Sequence, residues 1–230
     1  MKWYYHPLYR SEAEAILEVA ARTRIQDFNN DPDYGNGDRV LFYSGTQGKC
    51  CARLRPLEEV RDGDVLTVDG HGVGAPISDA ANEPAGYIAK NRITTSQRRF
   101  SVSPNTIARR LKADGLQNRK ILIKFYACLT AVNTSNGMST ACVLARALGF
   151  SNVVVQGYNG TTHHGDNGRH VNPTGYNNAI EPAHLHRKYY DSAGRELSEI
   201  GARKIAGPQV ANKDREGHHP PRQAIRIIDI

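Results

Sequence analysis

The stretch ILIKFYACLTA, residues 121–131, is an apolar run that stops at a reactive side chain, Cys128. Earlier in the chain, VLTVDGHGVG, residues 65–74, has the same pattern and stops at His71. Short, continuously apolar runs are typical of strands buried on both faces of a parallel sheet. Ligands of such sheets bind beyond the carboxyl ends of the strands. The two stretches therefore predict a thiol and an imidazole at the same edge of one sheet.

The segments around these strands predict helices between them. SPNTIARRLKADG, residues 103–115, begins with a capping serine and a proline and ends at a glycine, as helices commonly do. GMSTACVLARALGF, residues 137–150, predicts a second helix, and SNVVVQGY, residues 151–158, a further strand. Strands that alternate with helices in this order are parallel and joined by helical crossovers. The predicted fold class is α/β.

Towards the N-terminus, KWYYHPL at residues 2–8 and RVLFYS at 39–44 predict strands, and SEAEAILEVAARTR at 11–24 a helix. Residues 73–102 are polar and rich in turn formers, so we expect a long excursion from the core.

The C-terminal third has a different character. NGTTHHGDNGRHVNPTGYNN, residues 159–178, predicts a loop, and the alternation of His184 and His186 suggests a strand. LHRKYYDSAGREL predicts a hairpin that turns at Ser192–Gly194, and AIRIID a final strand. We expect one domain over residues 1–230, with a core at about 39–160 and a C-terminal hairpin flap and tail at about 161–230.

The composition, net charge and cysteine count limit the classes of protein to which this chain can belong. The chain has 39% hydrophobic and 23% charged residues, a net charge of +7 and four cysteines. Four cysteines in a chain of this length are not a disulfide framework, and the absence of a CxxC pair argues against a structural zinc site of that type. The positive charge would suit an acidic partner, but a solvated surface rich in Lys and Arg is the more ordinary explanation.

No apolar run approaches the roughly 20 residues of a transmembrane helix, so we expect no membrane span. The start, MKWYYHPLYRSEAEA, lacks the layout of a secretory signal, so we expect no classical export signal.

A thiol beside an imidazole is a chemically reactive combination. The thiolate is the nucleophile, and a neighbouring imidazole activates it by taking its proton. Gly70 and Gly72 flank His71, and glycine lets a substrate carbonyl approach the backbone closely. The amides of Gly72 and Cys128 are candidates for an oxyanion hole. Asp166, in the segment after the next strand, is a candidate for shaping a substrate-binding pocket.

The order of these parts resembles that of the caspase-like cysteine peptidases. It is most similar to the autoprocessing cysteine protease domain of MARTX and large clostridial toxins. The resemblance covers about residues 60–200: the GHG strand end, the helix SPNTIARRLKADGL, the cysteine-bearing strand, the helix and strand ARALGFSNVVVQGY, and the hairpin KYYDSAGREL.

This resemblance implies a caspase-like sheet with mainly parallel central strands flanked by helices. It makes Cys128 the nucleophile and His71 the proton shuttle of a peptidase that acts on a protein substrate, itself or a host protein, without a metal. It also implies a bacterial effector or toxin protease, held in the bacterial cytoplasm before delivery by a specialised secretion system. Domains of that family are activated by inositol hexakisphosphate, and the basic residues in the corresponding region here are Arg187, Lys188, Arg195, Arg203 and Lys204.

Two other function classes stay open. The histidine-rich segment 163–186, with the positive charge, would suit a metal-dependent nuclease of the His-Asn-His kind, although we do not expect nucleic acid as the main partner. A non-enzymatic binding module on the same fold is the third class. Cys142, on an apolar helical face, is expected to be a core residue.

Overall fold

The computed structural model describes the backbone of residues 2–7, 39–43, 55–69, 71–72, 88–89, 102–133, 137–165, 168–172, 181–211 and 226–227. Some side chains within these ranges fall outside the description, including those of Asp69, His71 and all of residues 161–165 and 168–172.

The strands are β1 (Lys2–His6), β2 (Arg39–Phe42), β3 (Val65–Asp69), β4 (His71–Gly72), β5 (Ile88–Ala89), β6 (Ile121–Tyr126), β7 (Val153–Tyr158), β8 (Thr161–Gly165), β9 (Gly168–Asn172), β10 (Glu181–Pro182), β11 (Arg187–Tyr190), β12 (Glu196–Leu197) and β13 (Arg226–Ile227). The α-helices are α1 (Pro104–Ala113), α2 (Thr140–Leu148) and α3 (Glu199–Ala206). Short 3-10 turns lie at Pro56–Glu59, Ala183–His186 and Pro208–Ala211.

The main sheet has the strand order β12-β11-β7-β6-β3-β1-β2-β13. From β13 to β7 all neighbours pair in parallel, and β11 pairs antiparallel with both β7 and β12. Parallel neighbours cannot be joined by a tight turn, so the chain leaves the sheet between them, and α1 and α2 stand in two of these connections. The predicted α/β class is confirmed.

Helices cover both faces of the central strands. On one face, Ile123 of β6 belongs to the same core cluster as Ile107 of α1 and Leu144 of α2. On the other face, Leu122 clusters with Ala202 of α3. Every residue of β6 and β7 is buried. Burial on both faces is the reason that these strands read as continuous apolar runs rather than as an alternating pattern.

Local signals place the helix ends. The Ser103 side chain accepts a hydrogen bond from the Thr106 amide at the start of α1, and Pro104 occupies the first turn. Helix α2 ends at Gly149, which adopts a left-handed φ of 64°. Glycine reaches that conformation without the clash that a Cβ would cause.

Two predictions for the C-terminal third are wrong. The predicted loop over 159–178 contains β8 and β9, which pair antiparallel and form a three-stranded sheet with β10. His184 and His186 lie in a 3-10 turn rather than in a strand. The polar segment forms strands because pairing satisfies its backbone groups, and this does not require an apolar face.

The hairpin predicted around Ser192–Gly194 is present as β11 and β12. Helix α3 was not predicted, although Ser198 supplies a capping signal and its side chain accepts from the Gly201 amide. The predicted helix at 11–24 lies outside the described residues. So does most of the polar stretch 73–102.

None of the helices in the described part of the chain has the length and apolar character that crossing a bilayer requires.

Candidate active site

Cys128 lies two residues beyond the end of β6, a strand in which every residue is buried. The next residue, Ala127, is also buried, whereas Cys128 is partly exposed. The thiol therefore lies where the core ends, fixed by the strand but open to a reactant. Among the described residues, neither Cys128 nor Cys142 takes part in a disulfide.

The turn after Cys128 is strained and tightly held. Leu129 has a φ of 60°, the left-handed region that a branched side chain seldom adopts. Its amide donates to the Gly160 carbonyl at 2.8 Å, and the Ala131 amide donates to the Tyr158 carbonyl at 2.9 Å. Strained residues persist only where the surroundings over-determine them, and they concentrate at functional sites.

Thr130 holds the turn to both β6 and β7, a role that the sequence did not predict. Its buried hydroxyl lies 3.1 Å from the Phe125 carbonyl and 3.2 Å from the Ala127 carbonyl, so it donates to one of them at a time. The same oxygen accepts from the Tyr158 amide at 2.9 Å. In the sequence, the only sign of these hydrogen bonds is a hydroxyl side chain two residues after Cys128.

His71 follows the end of β3, the strand next to β6. β3 and β6 are adjacent and parallel, and their last registered pair is Asp69 with Tyr126. His71 and Cys128 each follow two residues beyond that pair. Adjacent strands are about 4.8 Å apart, so the ends of β3 and β6 lie side by side at one edge of the sheet, just before His71 and Cys128. The His71 side chain lies outside the described part.

The backbone at His71 differs from a simple strand end. His71 and Gly72 form the short strand β4, which pairs antiparallel with β5, His71 with Ala89 and Gly72 with Ile88. The polar excursion thus returns to the candidate site. Gly72, predicted to supply an oxyanion-hole amide, lies in this ribbon. Asp166 lies outside the described residues.

Two tyrosines whose role the sequence did not predict lie near the cysteine. Tyr126 and Tyr158 end β6 and β7, are both buried, and pack edge to face with ring centroids 5.3 Å apart. Gln156 donates to the Tyr158 hydroxyl at 2.7 Å. The packing of the two tyrosine rings fixes the ends of β6 and β7, the two strands that hold the Cys128 turn.

Four of the five predicted activator-binding residues form ion pairs. Arg187 and Arg203 both contact Glu199, at 3.2 and 2.6 Å. The other two pairs are Lys188 with Glu196 and Arg195 with Asp191, at 3.0 and 2.8 Å. The fifth residue, Lys204, is exposed on α3. The region therefore has mixed charge, and a phosphate ligand would compete with carboxylates already in place.

The two described thiols are in different surroundings. Burial raises the pKa of the Cys142 thiol, more than the nearby Arg146 lowers it, so Cys142 favours its unreactive neutral form. Its sulfur lies 3.3 Å from the Gly194 carbonyl of the hairpin turn. Cys142 is a core residue, as predicted.

No three His, Cys, Asp or Glu side chains are grouped as metal ligands among the side chains that the structure describes. Comparison of the chain with protein-family models, curated proteins and solved structures found no match. Function is therefore inferred from the residues of this chain alone.

Proposed function

We propose that this protein is a cysteine peptidase that uses Cys128 as nucleophile and His71 as proton shuttle. The observation that carries the proposal is the register of β3 and β6, because its last pair, Asp69 with Tyr126, precedes His71 and Cys128 by two residues each. The strained backbone at Leu129 and the hydrogen bonds that hold this turn support the proposal, because a nucleophile must be held in a fixed geometry.

In the proposed reaction, the His71 imidazole takes the proton of the Cys128 thiol, and the thiolate attacks the carbonyl carbon of a peptide bond. The Gly72 and Cys128 amides stabilise the oxyanion. The imidazolium then gives its proton to the departing amine, which leaves a thioester on Cys128. Water, deprotonated by the imidazole, hydrolyses the thioester and restores the thiol.

We further propose a caspase-like version of the α/β fold. The parallel run from β2 to β7, the helices on both faces and the β11–β12 hairpin support this assignment. Under this proposal the hairpin is the flap, Asp166 contributes to substrate specificity, and the protein is a bacterial effector or toxin protease delivered to a target cell.

The test is mass spectrometry after brief treatment with iodoacetamide near neutral pH. Cys128 should be labelled fast, and His71→Ala should slow its labelling roughly tenfold or more, because the thiolate fraction falls. His186→Gln is the matched control, since His186 is held by Glu181 and should leave the rate unchanged. Cys142 serves as a slow internal reference.

Inositol hexakisphosphate is the proposed activator, and the same labelling in its presence tests that part separately. Faster labelling in the wild type, lost in Arg203→Gln, would support it. Labelling of Cys128 no faster than that of Cys142, with and without this ligand, would contradict the peptidase. EDTA-sensitive degradation of nucleic acid would then favour the nuclease, and its absence the binding module.

A further inference from the structure

The Thr130 hydroxyl hydrogen-bonds with the peptide unit that carries the Cys128 amide. Its oxygen lies 3.2 Å from the Ala127 carbonyl and 3.1 Å from the Phe125 carbonyl, and it accepts from the Tyr158 amide at 2.9 Å. The carbonyl of Ala127 and the amide of Cys128 belong to one planar peptide unit. Whatever fixes that carbonyl therefore also fixes the direction of the Cys128 N–H.

These hydrogen bonds leave the Thr130 hydroxyl little freedom. Because the oxygen accepts from the Tyr158 amide, its own hydrogen is directed to the two carbonyls. The Phe125 carbonyl also accepts from the Ala127 amide at 3.1 Å, so it keeps a partner when the hydroxyl donates to the Ala127 carbonyl. Threonine is also stiff at χ1, because its Cβ carries two heavy atoms. The side chain is therefore a rigid link between β7 and the peptide unit before Cys128.

The link is shielded from water and is held from a third element. Thr130 and Ala127 are both 0% exposed, so a buried group that loses its partner here stays unsatisfied unless the backbone moves. The Ala141 amide of α2 donates to the Thr130 carbonyl at 2.8 Å. Thr130 therefore joins β6, β7 and α2 at a point two residues after Cys128.

We propose that Thr130 is a positioning residue that orients the Ala127–Cys128 peptide unit, and with it the Cys128 amide that stabilises the oxyanion. This inference rests on the proposed function, in which that amide donates to the oxyanion. A hydrogen bond to the carbonyl of a peptide unit also polarises it, which makes its N–H a stronger donor. Thr130 thus acts on the reaction through the backbone of its neighbours.

The test compares two reactions of Cys128 that differ in their need for an oxyanion hole. Iodoacetamide alkylates the thiolate by displacement of iodide, and no oxyanion forms. With p-nitrophenyl acetate, the thiolate attacks the ester carbonyl, and the resulting oxyanion collapses with loss of p-nitrophenolate. A C–S bond then replaces a C–O bond, and the thiol proton has passed to His71. Mass spectrometry after an acid quench measures both products on Cys128 at early times.

Thr130→Val keeps nearly the same side-chain shape and removes the hydroxyl. We expect acylation of Cys128 to fall roughly tenfold more than alkylation, because a misdirected donor loses part of the hundredfold or more that a whole oxyanion donor contributes. Thr130→Ser restores the hydroxyl and should restore the wild-type ratio of acylation to alkylation. A role in stability alone would not change this ratio.

Ser103→Ala is the matched control for lost stability. Ser103 is also a buried hydroxyl that accepts from a backbone amide, that of Thr106, but it stands at the start of α1. Its loss should destabilise the protein and leave the ratio unchanged. Urea unfolding and the labelling of Cys142 show how far each variant is destabilised. If Thr130→Val does not fold, Thr130→Ala serves in its place, because a water can enter and pair with the Tyr158 amide.

The outcomes separate this inference from the proposed function. If alkylation of Cys128 is fast and depends on His71, but Thr130→Val leaves the ratio unchanged, the positioning role is overturned and the proposed function stands. An equal fall of the ratio in Ser103→Ala would also overturn it, as would failure of Thr130→Ser to restore the ratio. If Cys128 of the wild type is labelled no faster than Cys142, the proposed function fails, and this inference fails with it.

Discussion

Gly157 lies where β7 packs closely against the Cys128 turn and helix α2. A Cβ built there would lie 2.7 Å from Ala141 Cβ, 3.1 Å from the Thr130 carbonyl carbon and 3.2 Å from the Ala131 amide nitrogen. Two of these atoms are backbone, so the turn itself would have to move. The glycine is required by close packing rather than by an unusual φ.

We expect Gly157→Ala to lower the free energy of unfolding by about 1–3 kcal/mol, the usual cost of overpacking. Iodoacetamide labelling of Cys128 should change as well, because the turn shifts. Urea unfolding measures the first effect. The control is Gly201→Ala in α3, where the nearest atom would be 3.4 Å away. That variant should be as stable as the wild type or more so, since alanine favours helix. Equal stability of the two variants would contradict the packing argument.

At the scale of elements, Asp191 organises the β11–β12 hairpin. Its carboxylate accepts from the amides of Ala193 and Arg195, at 3.0 and 2.9 Å, and from the Arg195 guanidinium at 2.8 Å. Burial alone would raise the pKa of Asp191. The Arg195 hydrogen bonds and charge lower it, as does the hydrogen bond from the Ala193 amide. Together they exceed the effect of burial, so the pKa of the Asp191 carboxyl is lowered.

A lowered pKa makes the contribution of Asp191 depend on pH. It is fully present above the unfolded-state pKa of about 3.9 and is lost as the pH falls through the lower folded-state pKa. We expect Asp191→Asn to cost about 1–3 kcal/mol at neutral pH, where hydrogen bonds to a charge are lost. The cost should shrink below pH 4. Urea unfolding at a series of pH values measures this, and parallel curves for the two proteins would contradict it.

At the scale of the whole molecule, Trp3 reports on the sheet. It is the only tryptophan in the chain and is 1% exposed. Its indole nitrogen donates to Asp64 at 2.9 Å, and its strand, β1, pairs with both β2 and β3. One continuous ladder connects this strand to β6 and β7.

We therefore expect the Trp3 fluorescence change and the loss of far-ultraviolet circular dichroism to share one midpoint in a denaturant titration. Trp3→Phe should abolish the fluorescence change and lower the dichroism midpoint, because Asp64 loses a partner and the core loses volume. Two separated midpoints in the wild type would show that β1 unfolds independently of the central strands.

The sequence by itself determined the elements whose signals are local. The apolar runs of β3, β6 and β7, the cap at Ser103 and the stop at Gly149 each depend on a few consecutive residues. It also identified Cys128 and His71 as candidates, because both end such runs.

Only the tertiary structure decided what lies next to what. The adjacency of β3 and β6, and the register that ends with Asp69 opposite Tyr126, come from pairing between residues far apart in the chain. The same holds for two other features that no short stretch of sequence could have shown. These are the carboxylates that pair with the basic residues and the pairing of His163 with His170. The segment around those histidines has no apolar alternation to reveal a strand. Its hydrogen bonds depend on backbone groups, which are the same in every sequence, and on a partner strand that only folding supplies.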